Sequence, residues 1–119
     1  MGNDGRELDE LKEALRIFAA DRDWDQFHSP KNLAMALTVE AAELLERFQW
    51  LTEEASKYPD AVELAKIREE LADILIYLIR LADKLGISLI DAARDKIHEN
   101  ERKYPVDKSR GSSKKYTEL

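Results

Sequence analysis

Leu64, Ile67, Leu71, Ile74, Leu78 and Leu81 recur every three or four positions, a period that an α-helix gathers into one continuous stripe. Leu8, Leu11, Leu15 and Phe18 repeat the pattern near the N-terminus, and Leu37, Leu44 and Phe48 repeat it in between. Helix punctuation falls between these runs. Ser29-Pro30 offers an N-cap followed by proline at the first helical position. Asp60 with Glu63, and Ser88 with Asp91, have the spacing of capping boxes, and Gly86 and Tyr104-Pro105 read as stops. Four helices follow, over about 6–23, 30–51, 60–86 and 88–104. Only four Gly and three Pro interrupt a chain of 119 residues that is 44% hydrophobic and 37% charged, which supports an all-helical reading. The short connections predict an all-α fold, an antiparallel four-helix bundle-type subunit. Residues 1–105 form the expected domain, and 106–119 an extended C-terminal tail without periodicity.

The second helix carries an oddity in "LTVEAAELLERFQW". Glu40 sits three residues after Leu37 and four before Leu44, inside the apolar stripe, and Glu43 follows on its flank. The third helix repeats it: Glu70 and Asp73 lie beside Ile67, Leu71 and Ile74. If the two faces meet, four carboxylates converge. Two like charges about 5 Å apart repel by roughly 3 kcal/mol at an effective dielectric near 20. A divalent cation relieves that repulsion, and oxygen-only ligation favours Mg²⁺, with Mn²⁺ as a substitute. A single acid pair at i,i+3 is ordinary helix surface, and Glu46, Glu53, Glu54, Glu63 and Glu69 are expected there; two pairs beside apolar stripes are the unusual feature. Di-iron bundles use a Glu-x-x-His motif; the nearest matches, Asp95-x-x-His98 and Asp25-x-x-His28, lack the glutamate.

The absence of cysteine excludes disulfides, thiolate zinc sites and cysteine nucleophiles. No apolar run reaches the length of a membrane span, and no signal-peptide core opens the chain, so a cytoplasmic location is expected. A net charge of −6 argues against nucleic acid as a partner. Against that sum, Arg102, Lys103, Lys108, Arg110, Lys114 and Lys115 face only Asp107 between positions 102 and 115; this segment is either a solvated tail or a clamp for an anion. "LADILIYLIRLADKLG" is apolar around most of its circumference, which predicts a second buried face and hence a homo-oligomer. Trp24 and Trp50 bracket the first acid pair, and Trp50, seven residues after Glu43, is expected on its face. Tryptophans serve as core, but two of them near a metal-loaded cavity also suit a nucleobase.

The pairs Glu40-x-x-Glu43 and Glu70-x-x-Asp73 resemble the E-x-x-E and E-x-x-D pattern of the all-α nucleotide pyrophosphohydrolases, the MazG-like superfamily. "RDWDQFHSPKNL", "FQW", "DILIYL", "NERKYP" and "SSKKYTEL" resemble its dCTP pyrophosphatase branch, from about Leu11 to Leu119. The resemblance implies that water attacks the α-phosphorus of a nucleoside triphosphate, giving the monophosphate and pyrophosphate. It implies Glu40, Glu43, Glu70 and Asp73 as catalytic magnesium ligands. Trp24, His28, Trp50 and Tyr77 match residues around the substrate, as do Lys96, Asn100 and Tyr104, which share one face at four-residue spacing. Leu15 departs from the pattern, standing where some members of the branch carry histidine, so strict dCTP preference does not carry over. The expected function is Mg²⁺-dependent hydrolysis of dCTP or a modified dCTP in nucleotide-pool cleansing, by a tetramer built as a dimer of dimers. The alternatives are another substrate such as dUTP, or a non-catalytic helical oligomer that binds protein.

Overall fold

A computed structural model describes residues 6–119. The first five residues, on which the reading of the N-terminus partly rests, lie outside them. The chain runs through α1 (Arg6–Asp21), a 3₁₀ turn (Asp25–Phe27), α2 (Pro30–Glu46), the short α3 (Glu53–Ser56), α4 (Ala61–Leu85), α5 (Leu89–Lys103), the short α6 (Val106–Ser109) and a last 3₁₀ turn (Tyr116–Glu118). The fold is all-α, with no strand among the described residues. No described helix is long and apolar enough to cross a membrane.

The expected caps form. Ser29 Oγ accepts from the Asn32 amide at 3.1 Å, Asp60 Oδ1 from Glu63 at 2.8 Å and Ser88 Oγ from Asp91 at 3.3 Å. Each satisfies an amide that the first helical turn leaves without a partner. Gly86 ends α4 at φ 68°, a left-handed position that a Cβ would strain. Two expectations shift. The second helix stops at Glu46 rather than near Leu51, because the amides of Arg47 and Phe48 bond three residues back and tighten the end. Thr52 then caps α3, so residues 47–51 must turn to reach it. Beyond Pro105 the chain is not simply extended but makes two short helical turns.

Packing divides the chain into two compact units, one ending at Ile87 and the other spanning Ser88–Leu119. In the first, α4 packs against α2 most extensively and against α1. Arg47 at the end of α2 bonds Glu63 at the start of α4, whereas His28, just before α2, meets Arg80 late in α4. The two helices are therefore antiparallel. Ala19, Leu33, Ile67, Ile79 and Ala82 are buried. The long stripe of α4 splits: Ile67, Ile74 and Leu81 turn inward, while Leu64, Leu71 and Leu78 stay exposed. In the second unit, the Tyr116 ring meets Tyr104 edge-on at 6.0 Å and Lys103 lies 4.8 Å from the Tyr116 ring. Those contacts give the last turn a local anchor.

Candidate active site

Antiparallel pairing brings the middle of α2 against the first half of α4. Glu40, Glu43 and Glu70 each present a carboxylate oxygen there, all within 4.8 Å of one another. Glu40 Oε2 and Glu70 Oε2 are buried and find no hydrogen-bond donor among the described residues, an expensive condition for an anionic oxygen. Burial first, and then the neighbouring Glu43, Glu70 and Asp73, push the Glu40 carboxyl up to about 7. Burial and the charges of Glu43 and Asp73 also raise Glu70. Asp73 is outside the triad of close oxygens but near enough for its charge to reach both.

These residues fit a hard divalent cation. Ligand oxygens must gather within a few Å of one another to share one such ion, and the three here lie within 4.8 Å. The two oxygens without donors are the ligand type such an ion takes, and the three residues of the cluster offer oxygen alone. The acidic cluster could hold a divalent metal ion.

Along α4, Glu70, Asp73, Tyr77 and Arg80 follow one another at helical spacing on one side. Tyr77 is half-buried, one turn beyond Asp73. Arg80 is only 3% exposed and marks the other end of the row. Its Nη2 donates to Asp25 Oδ1 at 2.9 Å and its Nε to His28 Nδ1 at 3.3 Å, and Asp83 lies 3.6 Å from Nη1. Lys84 adds a 2.6 Å bond to Asp25, and Arg16 from α1 grips Asp83 with two bonds of 2.8 and 2.6 Å. Lys84 and Arg80 hold Asp25 below the usual carboxylate range, and Arg16 does the same for Asp83. Burial, and then the Arg80 charge, lower His28. Asp25 and His28, set aside as a metal motif for want of a glutamate, share the Arg80 guanidinium.

This network fixes the turn that carries Trp24. Asp23 takes φ 54°, uncommon outside glycine, and closes α1 with bonds from its own amide to Ala20 and from Trp24 to Ala19. Gln26 Nε2 holds Asp23 through both its carbonyl and its carboxylate, at 3.0 and 2.9 Å. The Trp24 ring packs edge-on against Phe18 at 5.7 Å and remains 46% exposed. Trp50, expected on the helix face of Glu43, lies instead in the turn after α2 and is 87% exposed. The early end of the helix is the reason. Lys96, Asn100 and Tyr104 belong to the second unit: Lys96 pairs with Glu99 at 3.4 Å, and Tyr104 caps α5 with its amide on the Asn100 carbonyl.

Sequence reasoning missed Arg80, Asp83, Arg16 and Lys84. One signal was available: Arg80 is the lone charge in "ILIYLIRLA", and an arginine in an apolar run needs a partner.

The MazG-like family model matches residues 35–119. The dCTP pyrophosphatase 1 of Bos taurus is 47% identical over 115 residues, covering 94% of this chain and 68% of the relative. The Homo sapiens protein of that name is 45% identical over 114 residues, covering 94% and 67%. In structure, the chain resembles a pyrophosphatase from Archaeoglobus fulgidus with a TM-score of 0.74 and 42% identity, over 83% of this chain and 93% of the other. An acid cluster at the junction of α2 and α4, inside a fold and a sequence so widely shared, leads to one assignment: the chain belongs to the MazG-like family.

Proposed function

We propose that this chain hydrolyses a deoxynucleoside triphosphate, dCTP or a modified dCTP, to the monophosphate and pyrophosphate. It is a nucleoside triphosphate pyrophosphohydrolase like its dCTP pyrophosphatase relatives. The observation that carries the reading is the cluster of Glu40, Glu43 and Glu70, with two buried oxygens that no protein donor satisfies. With Asp73 they would hold Mg²⁺, for which Mn²⁺ can substitute. When bound, the ion neutralises triphosphate charge and acidifies water.

The residues of the chain do the rest. A cluster carboxylate takes the proton of the attacking water as its oxygen bonds to the α-phosphorus, and the bond from that phosphorus to the α,β-bridging oxygen breaks. Trp24 and Trp50 offer ring faces to the base, with Tyr77 and His28 beside it. Lys96, Asn100 and Tyr104 meet phosphate or sugar. The hydrolase domain is assigned to 1–105, and the basic residues of 106–119 serve the phosphates by charge. Leu15, where some members of the branch carry histidine, supports a second reading in which another pyrimidine triphosphate such as dUTP is accepted.

The proposed assembly is a homo-oligomer, a tetramer built as a dimer of dimers, which would cover apolar side chains that one subunit leaves exposed. Leu64, Leu71, Leu78 and Leu85 repeat every seven residues on α4 and lie exposed, as do Met35 and Val39 on α2. The proposed role is nucleotide-pool cleansing in the cytoplasm. A panel of deoxynucleoside triphosphates, assayed with and without Mg²⁺, tests the activity. Pyrophosphate release that requires the metal and is fastest with dCTP is the expected result; orthophosphate release sinks the proposal.

A further inference from the structure

Arg80 is more constrained than a structural ion pair requires. Its Nε and Nη2 both approach the same atom, His28 Nδ1, at 3.3 and 3.2 Å. A guanidinium has only donors, so Nδ1 must accept and the ring proton must sit on Nε2. His28 Nε2 has no hydrogen bond to another described residue. The same guanidinium bonds Asp25, the first residue of the turn that follows Trp24. One buried side chain therefore controls both the protonated edge of His28 and the seat of the Trp24 turn.

We infer that Arg80 is a positioning residue for nucleotide recognition: it holds His28 as the Nε2–H tautomer, so that His28 offers its ligand a hydrogen-bond donor rather than an acceptor. The inference rests on the reading above that His28 meets the nucleotide. It narrows what His28 can read. A donor suits a pyrimidine ring carbonyl, the unprotonated ring nitrogen of cytosine, or a sugar or phosphate oxygen. It does not suit the exocyclic amine of cytosine, so any preference for cytosine through that amine must come from another residue.

Two measurements on the full chain test this. Long-range ¹H–¹⁵N NMR shows which ring nitrogen carries the proton, and the chain has only two histidines, so a His28→Gln spectrum assigns the signals. The wild type should show Nδ1 bare and Nε2 protonated. Arg80→Lys keeps the charge between Asp25 and Asp83 but loses the planar fork, and its His28 should become a mixture of tautomers. Steady-state kinetics then separate positioning from folding. Arg80→Lys should raise KM for dCTP about tenfold, the scale of a hydrogen bond involving a charged group, with kcat changed less than about twofold. In a His28→Ala background the same change should add less than about twofold, because lysine keeps a cation beside Asp25 and the remaining effect passes through His28.

A proton on Nδ1 in the wild type overturns the inference. So does a tautomer that ignores Arg80→Lys, or KM effects that multiply in the double variant. His28→Ala with wild-type KM removes His28 from the nucleotide and overturns the role given to both residues. The NMR measurement reads the free protein, so it is independent of which triphosphate is hydrolysed.

Discussion

The two ends of the α2–α4 pairing make opposite use of charge. At one end Glu40, Glu43 and Glu70 crowd together without an ion pair to any described residue, and the Glu40 and Glu70 carboxyls are raised. Ten residues along α4, about 15 Å at 1.5 Å per residue, Arg80 is surrounded by Asp25, His28 and Asp83, and the carboxyls of Asp25 and Asp83 are lowered. Both ends bury polar atoms against the same two helices. Only the second satisfies them. The contrast supports the proposal that a cation is held at the acid end and not at the Arg80 end.

Breaking each end should have opposite consequences. Glu43→Gln should lower turnover by about 100-fold or more, since even groups that merely support a metal ligand cost about 10–100-fold when lost. Calorimetry without metal should find it as stable as the wild type or more so, because repulsion is relieved. Added Mg²⁺ should raise Tm in the wild type and hardly in the variant. Lower metal-free stability together with normal hydrolysis would make Glu43 structural.

At the paired end, Arg80→Met should cost about 3 kcal/mol in urea unfolding, the scale of removing one partner from a buried ion pair. Its Trp24 fluorescence should also shift, as Asp25 loses a tether. Unchanged stability would mean that the network contributes only geometry.

The tryptophans come next. Trp50→Ala should weaken binding of a non-hydrolysable pyrimidine triphosphate by about 1–3 kcal/mol, the usual worth of base–aromatic stacking. Its melting temperature should stay put, since an 87% exposed ring contributes little packing. Trp24→Ala should lose both binding and some stability, because its ring packs on Phe18. Titration and melting of both variants beside the wild type decide the split.

The smallest expected effect is the pH dependence of the metal-free protein. Glu40 titrates near 7 when folded against an ordinary 4.5, so over that interval the native state holds the extra proton and stability falls as pH rises. His28 is lowered from 6.5, so its contribution has the opposite sign: the unfolded state takes the proton first, and stability falls as pH drops below 6.5. Asp25 and Asp83 lose their contributions only under strong acid, below 3.8. Glu40→Gln should weaken the first trend, leaving the share that the raised Glu70 carries, and leave the second. Thermal melts from pH 4.5 to 7 check this; parallel curves for wild type and variant would refute the assignment to Glu40.

Much of this molecule was legible beforehand. The periodicity and caps determine the long helices, since a cap bond is made within four residues and needs no tertiary partner. The acid pairs were legible because a carboxylate inside an apolar stripe conflicts with its own surroundings in any helical fold. Other features were settled only in three dimensions. The end of α2 at Glu46, and with it the placement of Trp50, depends on how the chain turns to reach the Thr52 cap. The division of the α4 stripe into an inner row and an exposed row depends on which neighbours cover it. The Arg80 network joins Asp25 and His28 to residues more than fifty positions away, and Arg16 to Asp83 across 67. Local chemistry could state that Arg80 needed a partner. Which partner it found was decided by the antiparallel docking of α2 on α4, because long-range pairing is set by the whole packed surface and not by the spacing of any one helix.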